Sequence, residues 1–151
     1  MAKVNLKADK LNLGCGNEFM EGWENIDLWE YDPRVIPIDL EKASLPYKTS
    51  SIAEVRAHHV LEHVFNYIEL LNECHRVIVP KGFIDIHVPK FPHPSSVKDP
   101  THVRFFNEET FKYFSEYLDL GCFSMYRIKP WDLHDIRFEE SEIQAVMKPI
   151  K

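Results

Sequence analysis

The chain has no run of lysine and arginine, no apolar stretch long enough to cross a bilayer, and no cysteine pair at zinc-site spacing. Each absence removes a class of function. Formal net charge is -6, and an acidic surface without a basic patch repels a phosphate backbone, so no nucleic-acid partner is expected. A helical span needs about 20 consecutive apolar residues, so no membrane partner is expected either. The three cysteines, Cys15, Cys74 and Cys122, are odd in number and widely spaced, which suits free thiols in a reducing compartment. The run from Met1 to Lys7 is too polar for a secretory signal, and a cytoplasmic protein is the expectation. Repeats, low-complexity tracts and linkers are also missing, which points to one domain over residues 1–151. What is present suits a packed core: 44% hydrophobic residues, with aromatics too plentiful for long disorder.

Short β-type runs alternate with helical patterns, so the expected fold is α/β with a mainly parallel sheet. The runs are Lys10 to Leu13, Glu24 to Ile26, Val35 to Ile38, about Ile52 to His58, and Phe83 to Val88. One helix is expected after Asn66, which has Glu69 three residues on as a capping-box partner. Tyr67, Leu71, Cys74 and Ile78 form its apolar face, and Pro80-Lys81-Gly82 ends it. A second helix is expected after Asn107, with Phe111, Phe114 and Leu118 on its apolar face and Gly121 at its end. Two tail strands, about Phe123 to Lys129 and Glu142 to Met147, would make a hairpin closing one edge. The first three strands pose a problem. Parallel neighbours usually need a crossover of about a dozen residues or more, and the gaps after Leu13 and Asp27 are shorter. Either the crossovers are bare loops or the second and third strands lie elsewhere.

The sharpest motif is Leu11-Asn12-Leu13-Gly14-Cys15-Gly16-Asn17. A strand running into Gly-x-Gly brings backbone close to a ligand, because glycine lacks Cβ and tolerates positive φ. Alone it is also an ordinary tight turn. Asp27 ends the next strand, where its carboxylate can accept from both ribose hydroxyls of an adenosine. Asp39 follows the third strand, within reach of an adenine amino group. Ligands bind at the carboxyl ends of strands in open α/β sheets, so three such residues at successive strand ends reinforce one another.

Leu45-Pro46-Tyr47 and His59-Val60-Leu61-Glu62-His63 follow in order, then Arg76-Val77-Ile78-Val79-Pro80-Lys81-Gly82. With these the chain resembles a class I S-adenosylmethionine-dependent methyltransferase of the compact type 11-like subgroup. The resemblance covers about residues 10 to 90, and Asp99-Pro100-Thr101-His102-Val103-Arg104-Phe105-Phe106 extends it. It implies a Rossmann-like sheet of about seven strands, the last antiparallel, with a reduced helix set. It implies S-adenosyl-L-methionine as cofactor, held by Gly14, Cys15 and Gly16, by Asp27 with Leu28, by Asp39 with Leu40, and by His58. Methyl transfer to a small-molecule or sugar-like acceptor is the implied activity, and a cofactor-binding regulatory module without transfer is the alternative. Asn12 stands where the family usually carries an acid, and Asn17 where a third glycine is common.

Two rivals are weaker. A nicotinamide fingerprint expects its acid about 20 residues after the first glycine, whereas Asp27 follows Gly14 by 13. His59-x-x-Glu62-His63 matches an inverted zinc-protease signature, but that needs both histidines on one helical face. His59 falls at a strand end, so no metal is expected. On the acceptor side, the proline-rich stretch Pro89 to Pro100 follows the fifth strand and is expected to cover the acceptor. Phe91, Phe105, Phe106 and Trp131 are candidate pocket walls. For removal of an acceptor proton, position favours His102 first and His59 second. Arg104 and His93 are the candidate acceptor-binding residues.

Overall fold

The computed structural model describes residues 8–115 and 125–151. Seven strands form one sheet: β1 (Lys10–Leu13), β2 (Glu24–Asp27), β3 (Val35–Pro37), β4 (Ile52–His58), β5 (Ile78–Pro89), β6 (Trp131–Phe138) and β7 (Glu142–Pro149). Their order is β3-β2-β1-β4-β5-β7-β6. The first five are parallel, and β7 runs antiparallel to both of its neighbours. The strand order reverses between β1 and β4, which opens a crevice at their carboxyl ends. Leu11, Leu13, Ile26, Val55, Ala57, Ile84 and Ile86 are buried, most of them alternating with polar residues, so the core lies on one face of the sheet.

The first three strands lie where their sequence pattern puts them, and their crossovers are bare loops. Buried amides replace the missing helix between β1 and β2. Asn25 Oδ1 accepts from Met20 N at 2.9 Å, and Asn25 Nδ2 donates to Met20 O at 3.2 Å. Asn12 Nδ2 donates to Glu18 O at 2.7 Å and to Asn25 Oδ1 at 2.9 Å. Arg56 Nη1 in turn donates to Asn12 Oδ1 at 2.9 Å. An acid at position 12 would offer no donor for these bonds, which explains why this chain carries an amide there. The second loop leans on the first, with the Arg34 guanidinium 3.8 Å from the centre of the Phe19 ring.

Helix α1 (Tyr67–Val77) buries Leu70, Leu71, Cys74 and Val77. Its start differs from the sequence reading: the Asn66 side chain makes no cap but donates to Glu41 O at 3.3 Å. Glu41 provides the cap from a distance, accepting from Phe65 N and Asn66 N. The chain passes from α1 straight into β5. Pairing with β4 shifts register after Ile78 and becomes continuous from Phe83, and Gly82 passes so near β4 that a Cβ would lie 2.5 Å from Ala53 O. A short helix α2 (Pro94–Val97) lies in the proline-rich stretch. The helix expected after Asn107 is a 3-10 turn over Thr110–Phe114, with Phe111 and Phe114 buried as expected. Leu118 and Gly121 lie outside the described residues.

The tail hairpin exists, but its first strand is Trp131–Phe138; of the run expected to be a strand, residues 125–129 form none and Phe123 lies outside the described residues. β6 is an edge strand, largely exposed, with a register break between Leu133 and Asp135. That break scrambles the two-residue alternation by which a strand is read. No helix among the described residues is long and apolar enough to cross a membrane.

Candidate functional site

Three cavities adjoin at the carboxyl ends of β1, β2, β4 and β5, and His59 lines all three. The first, about 360 Å³, is lined by Gly14, Gly16, Asp27, Asp39 and an apolar wall of Leu28, Ile38, Leu40, Val60 and Val64. The second, about 300 Å³, lies between residues 59–63, the segment 95–102 and Glu142. The third, about 380 Å³, holds Cys15, Glu18, Arg56, His58 and His87.

In the first cavity the turn after β1 brings backbone against the Val60 side chain. Gly14 has φ +58, and a Cβ there would sit 2.5 Å from Val60 Cγ2. Gly16 has φ +49, and a Cβ there would meet nothing within 4 Å, so this side of it faces open groove. Asp27 is anchored by the chain around it. Its Oδ2 accepts from Gly16 N at 2.9 Å and its Oδ1 from Leu28 N at 2.7 Å. An ionised carboxylate has about four acceptor positions, so acceptor capacity remains for hydroxyl donors. Tyr31, which the sequence reading missed, sits beside it: its hydroxyl donates to Gly16 O and lies 3.2 Å from Asp27 Oδ2. Burial and the neighbouring Cys15 and Asp27 push the Tyr31 phenol upward, so it stays a neutral donor. No spacing rule marks an aromatic four residues after an acid. Cys15 is buried, and burial raises its thiol.

Asp39 is placed differently. One oxygen accepts from Glu41 N at 3.1 Å as the cap of the turn Leu40–Lys42, and the other lies 3.6 Å from Lys42 Nζ. Both Asp27 and Asp39 therefore line one cavity, but only Asp27 is held by two backbone N–H groups across it.

His58 lies on β4 opposite His87 on β5, their rings stacked at 3.5 Å. His58 Nε2 is 2.8 Å from Asp85 Oδ2. Burial alone would raise the Asp85 carboxyl, and the His58 bond with the nearby His87 and Arg56 charges more than reverses this. Burial, then the His58 charge, lowers the His87 imidazole.

His59 has φ +54, a conformation few side-chain-bearing residues adopt, at the point where the cavities meet. Its Nε2 is 2.8 Å from Glu142 Oε2 and its Nδ1 is 3.3 Å from Glu62 Oε1. Glu62 most, and Glu142 with it, hold the imidazolium above its ordinary pKa, against the opposing pull of burial. Neither Glu62 nor Glu142 was singled out as a site residue from sequence. Glu142 arrives on the antiparallel strand β7, far along the chain.

The acceptor-side candidates are placed unequally. His102 reaches the second cavity, not the first, and its Nδ1 donates to Ser96 O at 2.9 Å. Arg104 lines none of the three cavities. Its guanidinium donates to Phe65 O at 2.9 and 2.6 Å and lies over the Phe65 ring, so it pins the loop. His93 caps α2 by accepting from Ser95 N at 3.2 Å. Phe106 and Trp131 are buried core residues, and Phe91 and Phe105 form an exposed ring pair. None of the four lines the three cavities; the apolar wall of the first comes from residues 28–40 and 60–64. The stretch after β5 walls the second cavity through Ser95, Lys98 and Asp99.

No family model matches the chain. No curated protein matches it either. Solved structures do. A SAM-dependent methyltransferase from Archaeoglobus fulgidus aligns with TM-score 0.65 at 18% identity, covering 92% of this chain and 85% of that one. A SAM-dependent methyltransferase from Methanosarcina mazei aligns with TM-score 0.65 at 14% identity, covering 93% and 92%. The [4+2]-cyclase SpnF aligns with TM-score 0.66 at 12% identity, covering 94% and 74%. At these identities the likeness is one of fold: the chain has the Rossmann-like fold of class I S-adenosylmethionine-dependent methyltransferases, with most of the helices between its first strands replaced by loops.

Proposed function

We propose that the chain binds S-adenosyl-L-methionine in the first and third cavities and transfers its methyl group to a small-molecule acceptor. The observation that carries this is one cavity lined together by Gly14, Gly16, Asp27 and Asp39. Asp27 is the proposed ribose ligand, since its carboxylate is oriented in advance by Gly16 N and Leu28 N. Leu28, Ile38, Leu40 and Val64 offer an apolar slot for a flat base beside Asp39. Gly16, Cys15 and His58 border the third cavity, where the amino-acid end of the donor fits.

The donor supplies a sulfonium methyl. The S–CH3 bond breaks as the bond to the acceptor forms, the electron pair stays on sulfur, and a protic acceptor releases its proton. The chain's own task is to hold donor and acceptor within about 3–3.5 Å in line and to keep water out. His59 stands where donor and acceptor cavities meet, and it is the proposed catalytic contact. His102 belongs to the acceptor side.

The test is calorimetry and thermal shift with S-adenosylmethionine, S-adenosylhomocysteine and NADH. The two sulfur nucleosides are expected to bind and raise the Tm, since a ligand of the native state must stabilise it. A shift with NADH alone would overturn the reading. A second reading, donor binding without methyl transfer, is favoured by the likeness to a cyclase. Formation of S-adenosylhomocysteine with a cell extract as acceptor source separates the two.

A further inference from the structure

Glu62 is a carboxylate that the fold leaves without donors. Its side chain is 1% exposed, and neither oxygen accepts a hydrogen bond. Burying a charge in this way is costly unless a cation sits against it. His59 Nδ1, at 3.3 Å, is in ion-pair range without an aligned hydrogen bond. The same ring also serves Glu142, at 2.8 Å, although Glu142 has further partners in His87 Nδ1 at 3.4 Å and Gln144 Nε2 at 2.8 Å.

Two histidines share the site with Glu62. One potential ligand atom from each of Glu62, His63 and His102 lies within 4.8 Å of the others. Proton counting shows which nitrogens are free. The Thr101 hydroxyl donates its only proton to Asp99 Oδ1 at 2.7 Å, so it accepts from His63 Nδ1 at 2.9 Å. Ser96 O accepts from His102 Nδ1 at 2.9 Å. In their neutral forms both rings therefore carry the proton on Nδ1 and offer Nε2 as the lone pair, that of His102 lying 3.9 Å from Asp99 Oδ2. This is the arrangement by which outer hydrogen bonds orient histidine ligands. The segment bearing His102 is tied in place by backbone bonds, Val103 N and Arg104 N to Glu62 O at 2.8 and 3.2 Å.

We propose that Glu62, His63 and His102 bind a first-row divalent transition-metal ion, with further coordination positions open to the second cavity. Two imidazoles and one carboxylate suit zinc, cobalt, nickel or ferrous iron better than magnesium or calcium. The inverted zinc-protease signature would need His59 and His63 on one helical face. That pairing does not form, because His59 is left-handed and residues 61–63 make a single 3-10 turn. The ligand set drawn here takes its third member from the returning loop instead. The other cluster of this kind, His58, Asp85 and His87, is closed by its own hydrogen bond and leaves no orphaned carboxylate.

The experiment uses the full chain with its affinity tag removed, stripped with chelator and titrated with Co(II) alone, without methyl donor, so that its outcome is independent of methyl transfer. One Co(II) per chain is expected, with visible d–d absorption intensified over that of the aqueous ion. His63→Ala and His102→Ala should each weaken uptake by about tenfold or more. His63 is exposed, so its variant keeps the test valid even if the others fold poorly. Glu62→Gln should weaken uptake and raise the Tm of the metal-free protein, because an amide needs no counter-charge. Absence of stoichiometric uptake, uptake unchanged in His63→Ala, or a lowered Tm in metal-free Glu62→Gln would each overturn the proposal.

Discussion

Asp27 and Glu62 are both carboxylates of one continuous groove, and they are held in opposite ways. Asp27 is partly open to solvent and accepts two backbone hydrogen bonds from the turns around it. Glu62 is buried and accepts none. The first is satisfied and has lone pairs to spare, which suits a ligand that donates hydroxyls. The second accepts no hydrogen bond and has His59, His63 and His102 beside it, which suits a cation. The comparison separates two ways of building a site. On the donor side strand ends set each group, and backbone N–H groups do the aiming. On the acceptor side a returning loop and the tail hairpin bring the groups together, and the aiming is done by Thr101, Ser96 and Glu142.

The comparison breaks most readily at Asp27. Asp27→Ala is expected to cost ~1.5–3 kcal/mol of S-adenosylhomocysteine affinity, the range for charge-assisted hydrogen bonds. Asp39→Ala should cost much less, because Asp27 can accept from both ribose hydroxyls whereas Asp39 would accept a single bond from the base. Calorimetry on both variants checks this, and equal small losses would mean the ribose lies elsewhere.

The donor side also depends on the buried amides that hold its bare crossover. Asn12→Asp restores the acid usual in the resembled family yet removes the donor to Glu18 O and Asn25 Oδ1. A loss of ~1–3 kcal/mol in unfolding free energy is expected, the cost of leaving buried acceptors unpaired. Denaturant melts decide it, and unchanged stability would mean that pairing with Arg56 compensates.

Gly14→Ala should lower both Tm and donor affinity, since left-handed backbone costs about 1–2 kcal/mol for a residue with Cβ. The overlap with Val60 adds to this. Adding Val60→Ala should recover the steric part alone. Full recovery would show that φ at Gly14 matters little.

The smallest effect tests the acceptor side. Arg104→Ala should cost ~1 kcal/mol of stability by freeing the Phe65 carbonyl. Once an acceptor is known, its KM should be unchanged. A large KM increase at unchanged Tm would return Arg104 to the acceptor.

The two sides also differed in how far they could be read from sequence. Gly14, Gly16, Asp27 and Asp39 follow β-type runs directly, so placing the strands placed the residues. Their local pattern survives because β1 and β2 are buried among neighbours on both sides, and register follows burial. Glu62 and His63 were visible as letters of a motif, but their partner His102 lies across a proline-rich return whose path no periodicity encodes. His93 and Arg104 were read as ligands because they occupy that return. The structure spends them on holding it, as loop polar groups often are spent. β6 was misplaced for the same kind of reason, since an exposed edge strand with a register break loses its alternation.

What the sequence by itself determined is the order of strand, glycine turn and acid that makes the donor side of a parallel α/β sheet. Those are local facts, carried by residues adjacent in the chain and by apolar runs that can only be buried. Tertiary structure alone decided that helices were dispensable between the first strands, because Asn12 and Asn25 had to meet across β1 and β2 before their amides could replace helical bonds. It also decided that Glu62 would be sealed off beside His63 and His102. Burial, unlike hydrophobic pattern, belongs to no residue until the chain has returned to cover it.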